Sequence, residues 1–175
     1  MFKKFIPFAY AKSIFDVNID FFKYLNIKTL LVDLDNTLDS YKCYTPSARV
    51  INLKKQLDAN EIKLIIISNN RGKRVKCYAD SLGVPYLSST HKPFKKRLAM
   101  YLANNGIKND ESMLVGDQLI TDVMLGYNAK INVLLCEPIV KEDQWTTRFN
   151  RLIDRPIRRY LKNHNKLMIW SDKYE

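Results

Sequence analysis

The sequence predicts an α/β protein built as a doubly wound parallel sheet of about five strands with helices on both faces. Short apolar runs at 29–34, 64–67, 84–87, 112–115 and 131–135 alternate with stretches of helical periodicity. The runs are apolar throughout, as strands covered on both faces are. Four of the strand ends also deliver polar groups to one edge, where open parallel sheets bind ligands.

A helix is expected near 20–25, ahead of the first long strand, which ends on Asp33 and Asp35. Thr45 and Pro46 form an N-cap and first-turn pair, and Val50, Leu53 and Leu57 share one face of a helix reaching about Ala59. The next strand stops at Ser68-Asn69-Asn70, and Asn70 is placed to cap a helix through Val75 and Tyr78 that ends near Gly83. Pro93 opens a further helix with Leu98, Tyr101 and Leu102 inward and Gly106 as its stop. Gly116-Asp117 closes the fourth strand, a helix follows at 123–127, and the basic segment 144–175 is expected to be partly helical.

The chain of 175 residues is read as one domain, 1–175, able to bury a core without disulfides or structural metal. Cys43, Cys77 and Cys136 are far apart and form no C-x-x-C pair, so they read as reduced thiols of a cytoplasmic protein. The apolar N-terminal stretch is broken by Pro7 and is too short for a signal peptide, and no run approaches transmembrane length. The net charge of +11 favours phosphate-rich partners and anionic membranes.

The polar strand ends are Asp33/Asp35, Ser68/Asn69, His91/Lys92 and Asp117/Asp122. Carboxylates, a hydroxyl and a lysine gathered in one place suit phosphoryl transfer, which depends on positioning and on neutralising charge. Asp33 is the candidate nucleophile, and Asp35 handles protons if the strand stops between the two and lets the second swing over. An anionic nucleophile approaching an anionic phosphate calls for Mg²⁺, with Asp33 and Asp117 as ligands and Lys92 as a second positive charge. His91, alone and without a partner, is left out. Between residues 38 and 64, and again between 68 and 92, there is no room for a lid domain, so large phosphorylated substrates have access.

Asp33-Leu34-Asp35-Asn36-Thr37-Leu38, Ser68-Asn69-Asn70, Lys92-Pro93 and Gly116-Asp117-Gln118 through Asp122 resemble, in order, the four motifs of the haloacid-dehalogenase-like (HAD-like) phosphatases. Residues 7–16 and Thr147-Arg148-Phe149-Asn150-Arg151 look like the capless III-A group of YqeG-type proteins, related to phosphatidylglycerophosphate phosphatase. The resemblance implies a nucleophile at Asp33 and an acid and base at Asp35. It implies phosphate and substrate binding by Ser68, Lys92 and Asn69, a metal held by Asp33, Asp117 and the main-chain carbonyl of Asp35, and support from Asp122 and Thr37. It implies a phosphomonoester substrate, with a lipid headgroup favoured.

Two basic clusters bear on the substrate. Arg71, Lys73, Arg74 and Lys76 lie at a helix start near the site, where they either grip a second phosphate or form a solvated face. Arg148, Arg151, Arg155, Arg158, Arg159 and Lys162 alternate with Phe149, Leu152, Ile157, Tyr160 and Leu161, as in an interfacial helix on an anionic membrane or a surface helix packed on the sheet. The competing functions are a basic nucleic-acid or protein-binding module with a regulatory metal site, and a receiver-like phosphoacceptor. The complete set of phosphoryl-transfer parts speaks against the first and Asp35, a proton donor that promotes turnover, against the second, so no nucleic-acid partner is expected.

Overall fold

The computed structural model describes residues 3–140 and 145–174 and, of residues 145–151, the backbone alone. Arg148, Arg151 and the rest of the 147–151 motif therefore lie outside the described side chains. The strands are β1 (Ala9–Ala11), β2 (Thr29–Asp33), β3 (Lys63–Ile67), β4 (Tyr86–Leu87), β5 (Ser112–Gly116) and β6 (Asn132–Cys136). They form a parallel sheet in the order β1-β6-β5-β2-β3-β4. The helices are α1 (Ile19–Tyr24), α2 (Ala48–Ala59), α3 (Lys73–Leu82), α4 (Lys96–Asn104), α5 (Met124–Ala129) and α6 (Trp145–Asn163).

From β2 the chain winds outward through β3 and β4, then returns to β5 on the other side of β2 and winds out to β6. The β2/β5 boundary is thus the topological switch point, where loops diverge and leave a crevice at the carboxyl ends of the strands. Successive side chains of β2 point to opposite faces, so Leu30 and Val32 join one core while Leu31 joins the other. The first core includes Phe21 and Phe22 of α1, Val50, Leu53 and Leu57 of α2, and Val75 and Tyr78 of α3. The second includes Leu98 and Leu102 of α4, Leu125 of α5 and Leu161 of α6. Helices therefore cover both faces, and no separate lid interrupts the connections that follow β2 and β3.

The sheet has six strands, where the sequence pattern implied about five. The extra one, β1, holds only Ala9, Tyr10 and Ala11, too short and too alanine-rich to announce itself as a strand. Its pairing comes from the tertiary structure: it lies parallel to β6, and Tyr10 exchanges main-chain hydrogen bonds with Met168 (2.8 Å) and Trp170 (2.9 Å). The edge of the sheet thus joins residues 9–11 to the segment after α6.

Three helix starts also differ from expectation. Helix α2 begins at Ala48 with Ser47 at the N-cap position, because the buried Asp39 carboxylate accepts the Ser47 amide at 2.9 Å and holds Thr45 and Pro46 outside. Helix α3 begins at Lys73 after Gly72, whose φ of 102° suits only glycine. Asn70 does not cap it: the N-cap position is Gly72, two residues on, and the Asn70 side-chain nitrogen donates to Asp35 (2.7 Å). Pro93 does not open α4: after it the Phe94 amide closes a turn on the His91 carbonyl (2.9 Å), and the helix starts at Lys96.

Tyr78 anchors α3 beneath the β2 loop by donating from its buried hydroxyl to Asp39 Oδ2 at 2.6 Å. A hydrogen bond to a charged acceptor contributes about 1.5–3 kcal/mol. Tyr78→Phe is therefore expected to lower unfolding free energy by about that amount, read as a reduced urea midpoint with an unchanged slope.

Candidate active site

Strand β2 ends at Asp33, and the chain then turns sharply. The amides of Leu38 and Asp39 return to the Leu34 carbonyl (3.2 and 3.3 Å), Asn36 takes φ 65°, and the Asn36 amide donates to the Asp39 carbonyl at 2.9 Å. Asparagine tolerates this left-handed conformation better than most residues. The turn gives the two carboxylates separate surroundings. Asp33 faces Lys92, while Asp35 accepts from Asn70 Nδ2 (2.7 Å) and from the Arg74 guanidinium, whose other nitrogen donates to the Cys43 carbonyl at 2.7 Å.

Lys92 sits in a buried ion-pair network, with Nζ in contact with Asp33 Oδ1 and 2.7 Å from Asp122 Oδ1. Its main chain is clamped by Asn69, whose Oδ1 accepts the Lys92 amide at 2.6 Å and whose Nδ2 donates to the Lys92 carbonyl at 3.2 Å. The Asn69 side chain, expected at the substrate, thus clamps the lysine. Ser68 is buried and its hydroxyl accepts the Asn70 amide at 3.1 Å, while Thr90 donates to the Ser68 carbonyl at 2.9 Å and ties the lysine loop to β3.

Asp117 and Asp122 follow β5, and both are fully buried. Asp122 Oδ2 accepts the Gln118 amide at 3.1 Å, leaving Oδ1 for Lys92. Gly116 makes room for this: a Cβ there would lie 2.3 Å from Asp122 Cγ. Gly116→Ala is expected to push Asp122 off Lys92, to cost about 1–3 kcal/mol of stability as overpacking does, and to lower the melting temperature.

Burial pushes the Asp33 carboxyl up to about 7, and the charges of Asp122 and Asp117 add to this against the opposing pull of Lys92. Burial alone would lower the Lys92 ammonium, yet Asp122 and Asp33 outweigh it and raise the group, so it stays charged. Lys92 is thus shared by two buried carboxylates, Asp33 and Asp122, with the buried Asp117 close enough to raise Asp33 further. Among the described residues no three His, Cys, Asp or Glu side chains converge on one metal position. The residues nevertheless fit Mg²⁺, which needs only one or two carboxylates and takes its remaining oxygen ligands from main chain, water and substrate. Asp33 and Asp117 would supply the side chains and Asp35 its carbonyl. The buried Thr37 hydroxyl has no hydrogen-bond partner among the described residues, as fits a group turned toward a ligand.

Every residue expected at the site from sequence belongs to one of these adjoining loops. The sequence did not mark Asp39, Tyr78 or, on α6, Asp154, and it did not foresee that Asn70 and Arg74 engage Asp35 or that Arg158 turns inward. Arg74 and Arg158 were visible only as members of basic runs, and nothing in spacing distinguished the inward arginines from the outward ones.

A parallel sheet that gathers buried acids and a lysine at its switch point suits phosphoryl transfer. The fold is shared with the cobalt-bound form of deoxy-D-mannose-octulosonate 8-phosphate phosphatase from Haemophilus influenzae, at TM-score 0.50 and 13% identity over 75% of this chain and 89% of that one. An uncharacterized protein from Listeria monocytogenes serotype 4b superposes at TM-score 0.53 and 14% identity, covering 67% of this chain and 85% of that one. Residues 2–140 match the family described as mitochondrial PGP phosphatase. The chain is 33% identical over 170 residues to "Probable phosphatase YqeG" of Bacillus subtilis (strain 168), covering 97% of this chain and 98% of that protein. The chain belongs to this PGP phosphatase family, and its reaction class is phosphoric monoester hydrolysis.

Proposed function

We propose that the protein is a Mg²⁺-dependent phosphatase that works through an aspartyl-phosphate on Asp33, with a phosphatidylglycerophosphate-like lipid as its substrate. The observation that carries the mechanism is the buried Asp33–Lys92–Asp122 network beside Asp117 at the switch point. Asp33 attacks phosphorus and the P–O bond to the leaving alcohol breaks, while Asp35 donates the proton that the leaving oxygen takes up. In the second half Asp35 takes a proton from water, the water oxygen attacks phosphorus, and the acyl-phosphate bond breaks to return Asp33 and release phosphate. Asn70 and Arg74 orient Asp35. Ser68 and Lys92 hold the phosphoryl oxygens, and Asn69 presents Lys92 by gripping its main chain. Bound Mg²⁺ supplies charge neutralisation between the anionic nucleophile and the phosphate.

The lipid assignment is supported by the family and by the surface around the site. Phe94, two residues beyond Lys92, is 72% exposed. On α6 the inner face carries Asp154, Ile157, Arg158 and Leu161, while Leu152, Arg155, Arg159, Tyr160 and Lys162 face outward. Such a mixed basic and apolar face suits an anionic membrane surface. Among the described residues no helix is long and apolar enough to cross a membrane. We place the protein at the cytoplasmic face of a membrane as a peripheral protein.

The test is phosphate release from phosphatidylglycerophosphate in mixed micelles and from p-nitrophenyl phosphate, each with Mg²⁺ or with EDTA. Release from the lipid that EDTA abolishes is the expected result. Activity on the soluble ester alone removes the lipid assignment and leaves the phosphatase standing, whereas no release from either substrate overturns the whole reading.

A further inference from the structure

Helix α6 meets the acidic loop after β5 through two side chains one turn apart. Asp154 is 1% exposed, and its two carboxylate oxygens accept the amides of Leu119 (2.9 Å) and Ile120 (3.2 Å). These are the first two amides of the widened turn Leu119–Val123, whose N–H groups have no partner within the turn. Arg158 donates from one nitrogen to the Asp117 carbonyl at 2.7 Å. Its other terminal nitrogen reaches the Cys136 carbonyl (3.4 Å) and pairs with Glu137 (3.3 Å), which accepts in turn from the Tyr10 hydroxyl at 2.7 Å.

We propose that Asp154 and Arg158 are positioning residues for the metal site, holding the main chain of residues 117–120 so that the Asp117 carboxylate faces Asp33 and Asp122 faces Lys92. The inference rests on the role given to Asp117 in the proposed function. With the Gln118 amide held by Asp122, the main chain is gripped at four successive residues, three amides and one carbonyl. A loop left to solvent would have to order Asp117 each time a cation bound. Gripped in this way, the loop presents a preformed ligand. The grip comes from the basic C-terminal segment, so that segment completes the site as well as presenting an outward face. Leu161, fully buried on the same side of α6, fixes the helix against the second core and keeps the two polar residues in register.

The test uses the full chain and measures Mg²⁺ binding by titration calorimetry alongside p-nitrophenyl phosphate kinetics and thermal unfolding. Asp154→Asn keeps the shape and one acceptor oxygen, Arg158→Gln removes the charge, and Arg158→Lys keeps it with fewer donors. Loss of such outer partners weakens metal binding by roughly 10–100-fold. The expected result is a Mg²⁺ Kd raised at least about tenfold in Asp154→Asn and Arg158→Gln, with partial rescue in Arg158→Lys. A fall in kcat that high Mg²⁺ restores, with the KM for the ester unchanged, should accompany it. Lys55→Gln, an equal loss of charge on the exposed face of α2, should leave the Kd as it was. Folded variants that bind Mg²⁺ as tightly as wild type overturn the inference while leaving the proposed function intact, as does an equal loss in Lys55→Gln. Should Asp154→Asn fail to fold, the two Arg158 variants decide the matter alone. A wild-type protein that neither binds Mg²⁺ nor releases phosphate overturns the proposed function first, and this inference with it.

Discussion

Asp33→Asn is expected to abolish phosphate release, lowering kcat by on the order of 10⁴-fold or more, as loss of a covalent nucleophile does. The amide keeps the size and most of the hydrogen-bonding shape of the carboxylate, so packing around β2 should hold. What it lacks is the anionic oxygen that forms the bond to phosphorus. The variant should remain at least as stable as wild type in metal-free buffer, because burial and the neighbouring Asp122 and Asp117 charges disfavour the ionised form of Asp33 that the amide removes. Single-turnover kinetics with p-nitrophenyl phosphate check the first expectation and urea unfolding in EDTA the second. Residual activity within tenfold of wild type would remove Asp33 from the role of nucleophile.

Lys92→Met carries the next largest effect, and here stability and activity should fall together. Methionine fills much the same volume but leaves Asp33 and Asp122 buried without their shared cation. Breaking a buried ion pair by removing one partner costs about 3–5 kcal/mol. Because its neighbours raise the Lys92 ammonium above its usual value, its contribution is fully present below the unfolded pKa of about 10.4 and is lost only as pH climbs through the still higher folded value. The deficit of the variant is therefore present throughout neutral pH.

Asp33 sets the trend on the acid side. Its folded pKa of about 7 lies above the unfolded value near 3.9, so between these limits the folded protein holds a proton that the unfolded chain releases, and stability falls as pH rises. Removing Lys92 takes away the charge that pulls Asp33 down and steepens that fall. Urea unfolding in EDTA should then show a larger gap between Lys92→Met and wild type at pH 8 than at pH 5. A gap of equal size at both pH values would show that Lys92 does not hold charge on Asp33.

Much of the fold was legible because parallel strands buried on both faces must be apolar along their length. The runs at 29–34, 64–67, 112–115 and 131–135 carry that signature and reappear as β2, β3, β5 and β6. Asp33 and Asp117 were legible for the converse reason: each carboxylate stands where an apolar run stops and the backbone leaves the sheet, while Lys92 and Asp122 lie further along the loops that follow β4 and β5. Strand β1 was not legible, since three residues gain strand geometry only from the partner they pair with. The start of α2 shifted because a side chain eight residues earlier took a group that a local cap would have used, as Asp39 takes the Ser47 amide.

Asn69 and the arginines show the same division. A Ser-Asn-Asn at a strand end reads as ligand-binding, yet the Asn69 amide bonds the main chain of Lys92, 23 residues on. In the run 155–162 Arg155, Arg158, Arg159 and Lys162 are basic, and which of them turn inward depends on where α6 lies against the sheet. Sequence by itself determined the order of the elements, the class of chemistry and the residues that carry charge to the sheet edge, because burial and reactivity are properties of residue types and their local spacing. Only the tertiary structure decided which partners those residues have: Arg74 on Asp35, Asp122 on Lys92, and Asp154 and Arg158 on the Asp117 loop. Such pairings are set by distances in space between segments whose separation along the chain carries no signal.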